Sequence, residues 1–166
     1  MLITAVPPAL EVAHLVVRRG DRTVLDCLDA TFPAGVVTAL TGPNGSGKST
    51  LLDALAGVVT PVGGVVSGLP SGGVAYVTQA VPPTALPLTV RSTVAMGRWR
   101  ARPWWRPLGR AEHAVVDAQL ERMGITDLAD RRLDELSGGQ RQRTLVALGL
   151  AQRAPVLLVG RPTSDR

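Results

Sequence analysis

The run Gly42-Pro43-Asn44-Gly45-Ser46-Gly47-Lys48-Ser49 is the part of this chain best equipped for chemistry. It fits the pattern G-x-x-x-x-G-K-S/T, whose residue types suit phosphate. Glycines let the backbone curl until successive N–H groups converge on one point, an anion nest. A helix beginning there adds the positive end of its dipole. Lys48 brings a charge for the β- and γ-phosphates, and Ser49, followed by Thr50, a hydroxyl suited to Mg²⁺. Lys48 is the only lysine in the chain, and it stands where the pattern demands one.

A second constellation is Leu136-Ser137-Gly138-Gly139-Gln140. Ser137 is a natural helix cap. Gly138 and Gly139 leave the first amides of that helix bare, which makes a second anion site. Gln79 ends a short apolar run. Arg98-Trp99-Arg100-Ala101-Arg102-Pro103-Trp104-Trp105-Arg106 interleaves base with every tryptophan of the chain. Such interleaving can serve single strands, but no recognised nucleic-acid module accompanies it, so no nucleic acid is expected. Two readings of the segment stand, a docking surface and a solvated loop.

These residues need elements to hold them. Residues 10–17 and 23–30, with Gly20-Asp21 between them, read as an antiparallel hairpin. Val36–Thr41 reads as a strand running into the glycine loop, and Lys48–Ala56 as a helix stopped by Gly57. Val74–Val77 reads as another strand. From about Val90 to Leu133 the pattern is helical, with Val116, Leu120 and Met123 on one face. Thr144–Ala151 reads as a buried helix, and Val156–Val159 as a strand covered on both faces.

The chain has 166 residues, 45% hydrophobic and 19% charged, with a formal charge of +5, which is a globular balance for one domain. Cys27 is the only cysteine, so no internal disulfide forms, and it is expected as a small core residue. His113 and Asp117 share a helix face without further ligands, and no metal site is read there. No charged residue lies between Asp53 and Arg91, yet Pro61, Pro70, Pro82, Pro83 and Pro87 break any helix of the roughly 20 residues needed to span a bilayer. The N-terminus has no basic region ahead of its apolar residues, so no signal peptide is read. A cytoplasmic protein is expected, with any membrane association made through a partner.

Taken together, the two motifs and Gln79 resemble the nucleotide-binding subunits of ABC transporters, over residues 10–163. The resemblance implies an α/β fold: an ABC-type P-loop NTPase core with an N-terminal antiparallel β hairpin and a helical subdomain, C-terminally incomplete. It implies a core of 1–89 and 154–166 around a helical subdomain of 90–153. ATP and Mg²⁺ are the implied cofactors. Gly42, Pro43, Asn44, Gly45, Ser46, Gly47, Lys48, Ser49 and Thr50 would hold the phosphates. Ser137, Gly138, Gly139 and Gln140 would meet the γ-phosphate held by a second nucleotide-binding domain. Gln79 would position water and, with Ser49, Mg²⁺. The implied partners are an integral-membrane permease subunit and, indirectly, a solute-binding protein, at the inner face of the cell membrane. The stretch from Pro87-Leu88-Thr89-Val90 to Val94-Ala95-Met96-Gly97-Arg98 looks most like the zinc/manganese-type importers.

The departures matter as much. Where the family has Asp-Glu-Pro-Thr, this chain has Gly160, Arg161, Pro162 and Thr163. The carboxylates that anchor Mg²⁺ and polarise water are therefore replaced, and an arginine stays protonated and cannot act as a base. Arg19 stands where an aromatic residue usually stacks on adenine, and its guanidinium is expected to stack on the base in its place. The family's switch histidine and its next strand would fall beyond Arg166. A gap beside Val156–Val159 is therefore expected, rather than direct pairing with Val36–Thr41, together with poor solubility. A non-transport ABC protein and a hydrolysis-deficient remnant are the rival readings. Losing a general base alone costs about 10²–10⁴ in rate. Phosphate release by the purified chain is therefore expected far below the ordinary range of about 1–10³ s⁻¹. The double change Gly160→Asp with Arg161→Glu is not expected to restore it fully. A malachite-green assay with ATP checks both.

Overall fold

The computed structural model describes residues 8–78, 87–101 and 106–160. They fall into two compact units, one ending at Val74 and the other starting at Ala75. The first holds β1 (Pro8–Arg19), β2 (Arg22–Pro33), α1 (Lys48–Leu55) and β3 (Gly63–Ser67). The second holds most of β4 (Val74–Thr78), then α2 (Val90–Met96), α3 (Arg110–Arg122), α4 (Gly138–Ala151) and β5 (Val156–Gly160).

In the first unit, β1 is the centre of an antiparallel sheet ordered β2-β1-β3. Its buried residues are Leu10 and Val12, then Leu15 and Val17, so the period of two slips once between 12 and 15. The slip is a bulge: the register shifts there, and His14 takes φ 49°. A bulge inserts one residue so that both apolar pairs face the same side. β2 answers it with Cys27 at φ 50°. The His14 N–H donates to Asp29 Oδ1 at 2.8 Å across the two strands.

That second bulge corrects one expectation. Cys27 is exposed, because the bulge turns it away from the buried face, and its Sγ lies 3.6 Å from His14 Nδ1. A second correction concerns Val36–Thr41. These residues join neither sheet among the described residues, and Val37 is 99% exposed. A strand is stable only through a paired neighbour, and among the described residues no strand pairs with this run. β3 was not foreseen. Its Gly64, at φ 81°, lies so near β1 that a Cβ would sit 2.4 Å from the His14 carbonyl oxygen.

The second unit is built on three mutually packed helices. Val90 and Val94 of α2, Val115, Val116 and Leu120 of α3, and Ala147 and Ala151 of α4 share one buried cluster, with Met123 packed against it. Thr89 starts α2 with a reciprocal cap: its Oγ1 accepts from the Ser92 N–H at 3.1 Å, and Ser92 Oγ accepts from the Thr89 N–H at 2.9 Å. Arg91 of α2 pairs with Asp117 of α3, so Asp117 serves the helix interface rather than His113. The expected buried stretch of α4 is present, with Thr144, Leu145, Ala147, Gly149 and Ala151 all buried.

β4 and β5 pair with each other. α4 lies close on them at Gly149, where a Cβ would come within 2.6 Å of Val77 Cγ2 and of Leu157 Cδ1. Val159 is 41% exposed, which corrects the reading of a strand covered on both faces. With β4 as its one ladder neighbour among the described residues, β5 buries Leu158 and Gly160 and leaves Val159 to solvent.

Gly97 ends α2 where a Cβ would meet the Leu148 carbonyl oxygen at 2.5 Å and Ala151 Cβ at 2.9 Å. Backbone cannot yield as a flexible side chain can. Gly97→Ala should therefore cost about 1–3 kcal/mol by forcing α2 off α4, read as a lower midpoint in urea denaturation.

Candidate functional site

The glycine loop leads into α1, and Gly47 at its N-cap has φ 88°. A left-handed residue there is what glycine allows at no steric cost. A Cβ at this position would also lie 2.6 Å from Leu25 Cδ2 of β2, so the hairpin closes on the loop at a residue without a side chain. Gly45, at φ 80°, has open space around it, while a Cβ on Gly42 would crowd Ser46 Oγ at 3.2 Å. No side chain caps α1. Its first N–H groups are the donors that a phosphate would take.

Lys48 is folded back on the loop. Its Nζ donates to the carbonyl oxygens of Gly42 at 2.8 Å and Pro43 at 2.6 Å, and to Ser46 Oγ at 3.3 Å. The ammonium thus holds Gly42, Pro43 and Ser46 in one turn. Asn44 lies exposed in the tip of that turn, Ser49 is exposed, and Thr50 is buried beneath. Arg19 is not a free platform for a base: its guanidinium pairs with Asp53 of α1. Asp53 is the residue the sequence reading missed. Its only signal was being the sole acid of a helix otherwise fit for anions.

The second motif is built differently. Ser137 caps α4, its Oγ accepting from the Gln140 N–H at 3.3 Å while Gln140 Oε1 accepts from the Ser137 N–H at 2.9 Å. This reciprocal box occupies both side chains and leaves Gly138 and Gly139 exposed at the helix start. The loop before it is tied by a two-pronged pair, Arg132 Nε to Asp134 Oδ1 at 3.0 Å and its terminal nitrogen to Asp134 Oδ2 at 2.7 Å. The Arg132 hydrogen bonds hold the Asp134 carboxyl below the usual carboxylate range.

A glycine loop with its lysine and a serine-capped Gly-Gly helix are both present as folded features. The sequence profile of the ABC transporter family matches residues 25–164, most of the chain. The chain belongs to this family. The ABC relatives include the probable siderophore transport system ATP-binding protein YusV of Bacillus subtilis, 37% identical over 87% of this chain and 56% of that protein. The zinc import ATP-binding protein ZnuC of Cereibacter sphaeroides is 39% identical over 90% of this chain and 58% of its own length. Among solved structures, one described as an inward-facing ABC transporter of metal-chelate type aligns with TM-score 0.84 and 31% identity, over 95% of this chain and 61% of that one. The chain thus spans little more than half the length of these two curated relatives.

The other expected positions of the ABC site divide. Gly160 closes β5 as a buried residue and offers no side-chain oxygen. Gln79, Arg161, Pro162 and Thr163 lie outside the described residues, as do Arg102, Pro103, Trp104 and Trp105. Within the basic-aromatic segment, Arg98 is buried and donates to the Ala151 carbonyl oxygen at 2.7 Å, which satisfies the C-terminal end of α4. Trp99 is 60% exposed.

Replacing a serine cap by alanine costs about 0.5–2 kcal/mol. Ser137→Ala should lower stability by that amount, since the Gln140 N–H loses its acceptor. Chemical denaturation with far-UV circular dichroism measures it, and an unchanged midpoint would show that the cap contributes nothing.

Proposed function

We propose that this chain is the ATP-binding part of an ABC import system whose solute is a metal ion, a siderophore or cobalamin. The observation that carries the reading is the glycine loop, with Lys48 held inside it and the uncapped start of α1 behind it. The residues fit a triphosphate. The amides at the start of α1 supply donors, Lys48 exchanges loop carbonyls for phosphate oxygens, and Ser49 is exposed beside them. A bound Mg²⁺ would neutralise phosphate charge. The side chains fit it less well than they fit the phosphates, because Gly160 brings no carboxylate to the end of β5. Gln79 is proposed as the further Mg²⁺ and water contact.

Ser137, Gly138, Gly139 and Gln140 are proposed to meet the triphosphate of a second nucleotide-binding domain through the bare start of α4. Arg19 is left out of the nucleobase contacts, because its guanidinium pairs with Asp53. The division into a core of 1–89 and 154–166 and a helical subdomain of 90–153 belongs to the same proposal. No helix among the described residues is long and apolar enough to cross a membrane. By membership of this family, the membrane passage is assigned to a permease subunit, with this chain on its cytoplasmic face and a solute-binding protein acting indirectly.

The named solutes of the relatives vary, from zinc in ZnuC to cobalamin in BtuD of Halobacterium salinarum. The finer choice of a zinc/manganese-type solute rests on the run from Pro87 to Arg98. A second reading, a nucleotide-binding subunit deficient in hydrolysis, is favoured by Gly160 at the end of β5.

Lys48→Ala should remove measurable ATP binding, a loss of about thirtyfold or more, as when one partner of a buried charge pair is truncated. Arg100→Ala, an exposed arginine of the basic-aromatic segment, should leave binding unchanged. Calorimetric titration of both variants decides it, and equal losses would sink the assignment of the phosphate site to the loop.

A further inference from the structure

α1 spans Lys48–Leu55 and carries one acid, Asp53, five residues after Lys48. At a rise of about 1.5 Å per residue the two stand about 7.5 Å apart along the axis. An acid in the C-terminal half of a helix opposes the dipole. Asp53 is therefore poorly placed for α1 itself. Its side chain is also only 18% exposed. A carboxylate so placed needs a cation, and Arg19 supplies it from the last residue of β1.

The neighbouring Arg18 turns the other way and donates to the Asp21 carbonyl oxygen at 3.3 Å, so Arg19 alone of the two reaches the helix. A second contact works beside it. Leu25, in register with Val17 of β1, fills the space next to Gly47. The hairpin thus grips α1 at two points, one apolar at its N-cap and one ionic at Asp53. Between them lie Lys48 and Ser49. The loop residues ahead of Gly47 are exposed and tied mainly through Lys48.

We infer that the Arg19–Asp53 pair is a positioning contact of the phosphate site: it sets the start of α1, and with it Lys48, in the orientation that receives a triphosphate. Arg19 then acts through the helix rather than on the base. The inference rests on the triphosphate reading of the loop and names a residue pair that this reading does not require.

The test titrates ATP and inorganic tripolyphosphate into the full chain and into Arg19→Ala, Asp53→Asn, Arg19→Lys and the swapped pair Arg19→Asp with Asp53→Arg. Thermal melts confirm that each variant is folded. Arg19→Ala and Asp53→Asn should weaken both ligands by the same factor, about three- to tenfold, more than an exposed pair gives because Asp53 is largely buried. Arg19→Lys keeps the charge but loses the planar fork, so it should fold like the parent and fall between. The swapped pair should recover most of the affinity. A loss confined to ATP would overturn the inference by placing Arg19 on the base. Unchanged affinity in the single variants, or no recovery in the swap, would overturn it too. If the parent chain binds neither ligand, or Lys48→Ala binds tripolyphosphate as the parent does, the triphosphate reading fails first and the positioning role with it.

Discussion

Leu25 occupies the place where any other residue at 47 would put its Cβ. Much of the first unit depends on that contact. It needs β1 and β2 in register, so that Leu25 stands opposite Val17 and turns inward. It needs the bulges at His14 and Cys27, without which the two ends of the hairpin could not bury the same face. It also needs Gly47 in a left-handed conformation, which points the first amides of α1 toward the loop. Burial of aliphatic side chains, a non-directional force, is thereby converted into a directional set of N–H donors.

The two helix starts show two ways of managing unsatisfied amides. α1 has no side-chain cap hydrogen bond, so its first N–H groups have no side-chain acceptor. It forgoes the stability that a cap would contribute, about 1 kcal/mol. α4 is capped by its own residues, and its geometry is therefore set in advance. Only the two glycines after the cap remain bare. The first start keeps its amides available, and the second has its geometry set in advance by Ser137 and Gln140.

Much of this was legible in the residues. Gly20-Asp21 marked the hairpin, the spacing of Val116, Leu120 and Met123 marked the buried face of α3, and Ser137 marked the start of α4. What escaped depended on partners distant in the chain. β3 is Gly-Gly-Val-Val-Ser, with no clear alternation, and it exists because β1 offers an edge to pair with. The aliphatic run at 36–41 looked like a strand, but strand character is a property of pairs. Cys27 has the composition of a core residue, and a one-residue slip turned it outward. Arg19 and Asp53 lie 34 residues apart, and no local rule connects them.

The solitary lysine has a practical meaning. Amine-selective reagents see a single side chain in this protein, and that side chain is bonded to three oxygens of its own loop. Acylation of this amine therefore reports on one event, the withdrawal of Lys48 from the turn it holds closed. The chain carries a built-in chemical probe of its phosphate loop, with no background from other lysines to subtract.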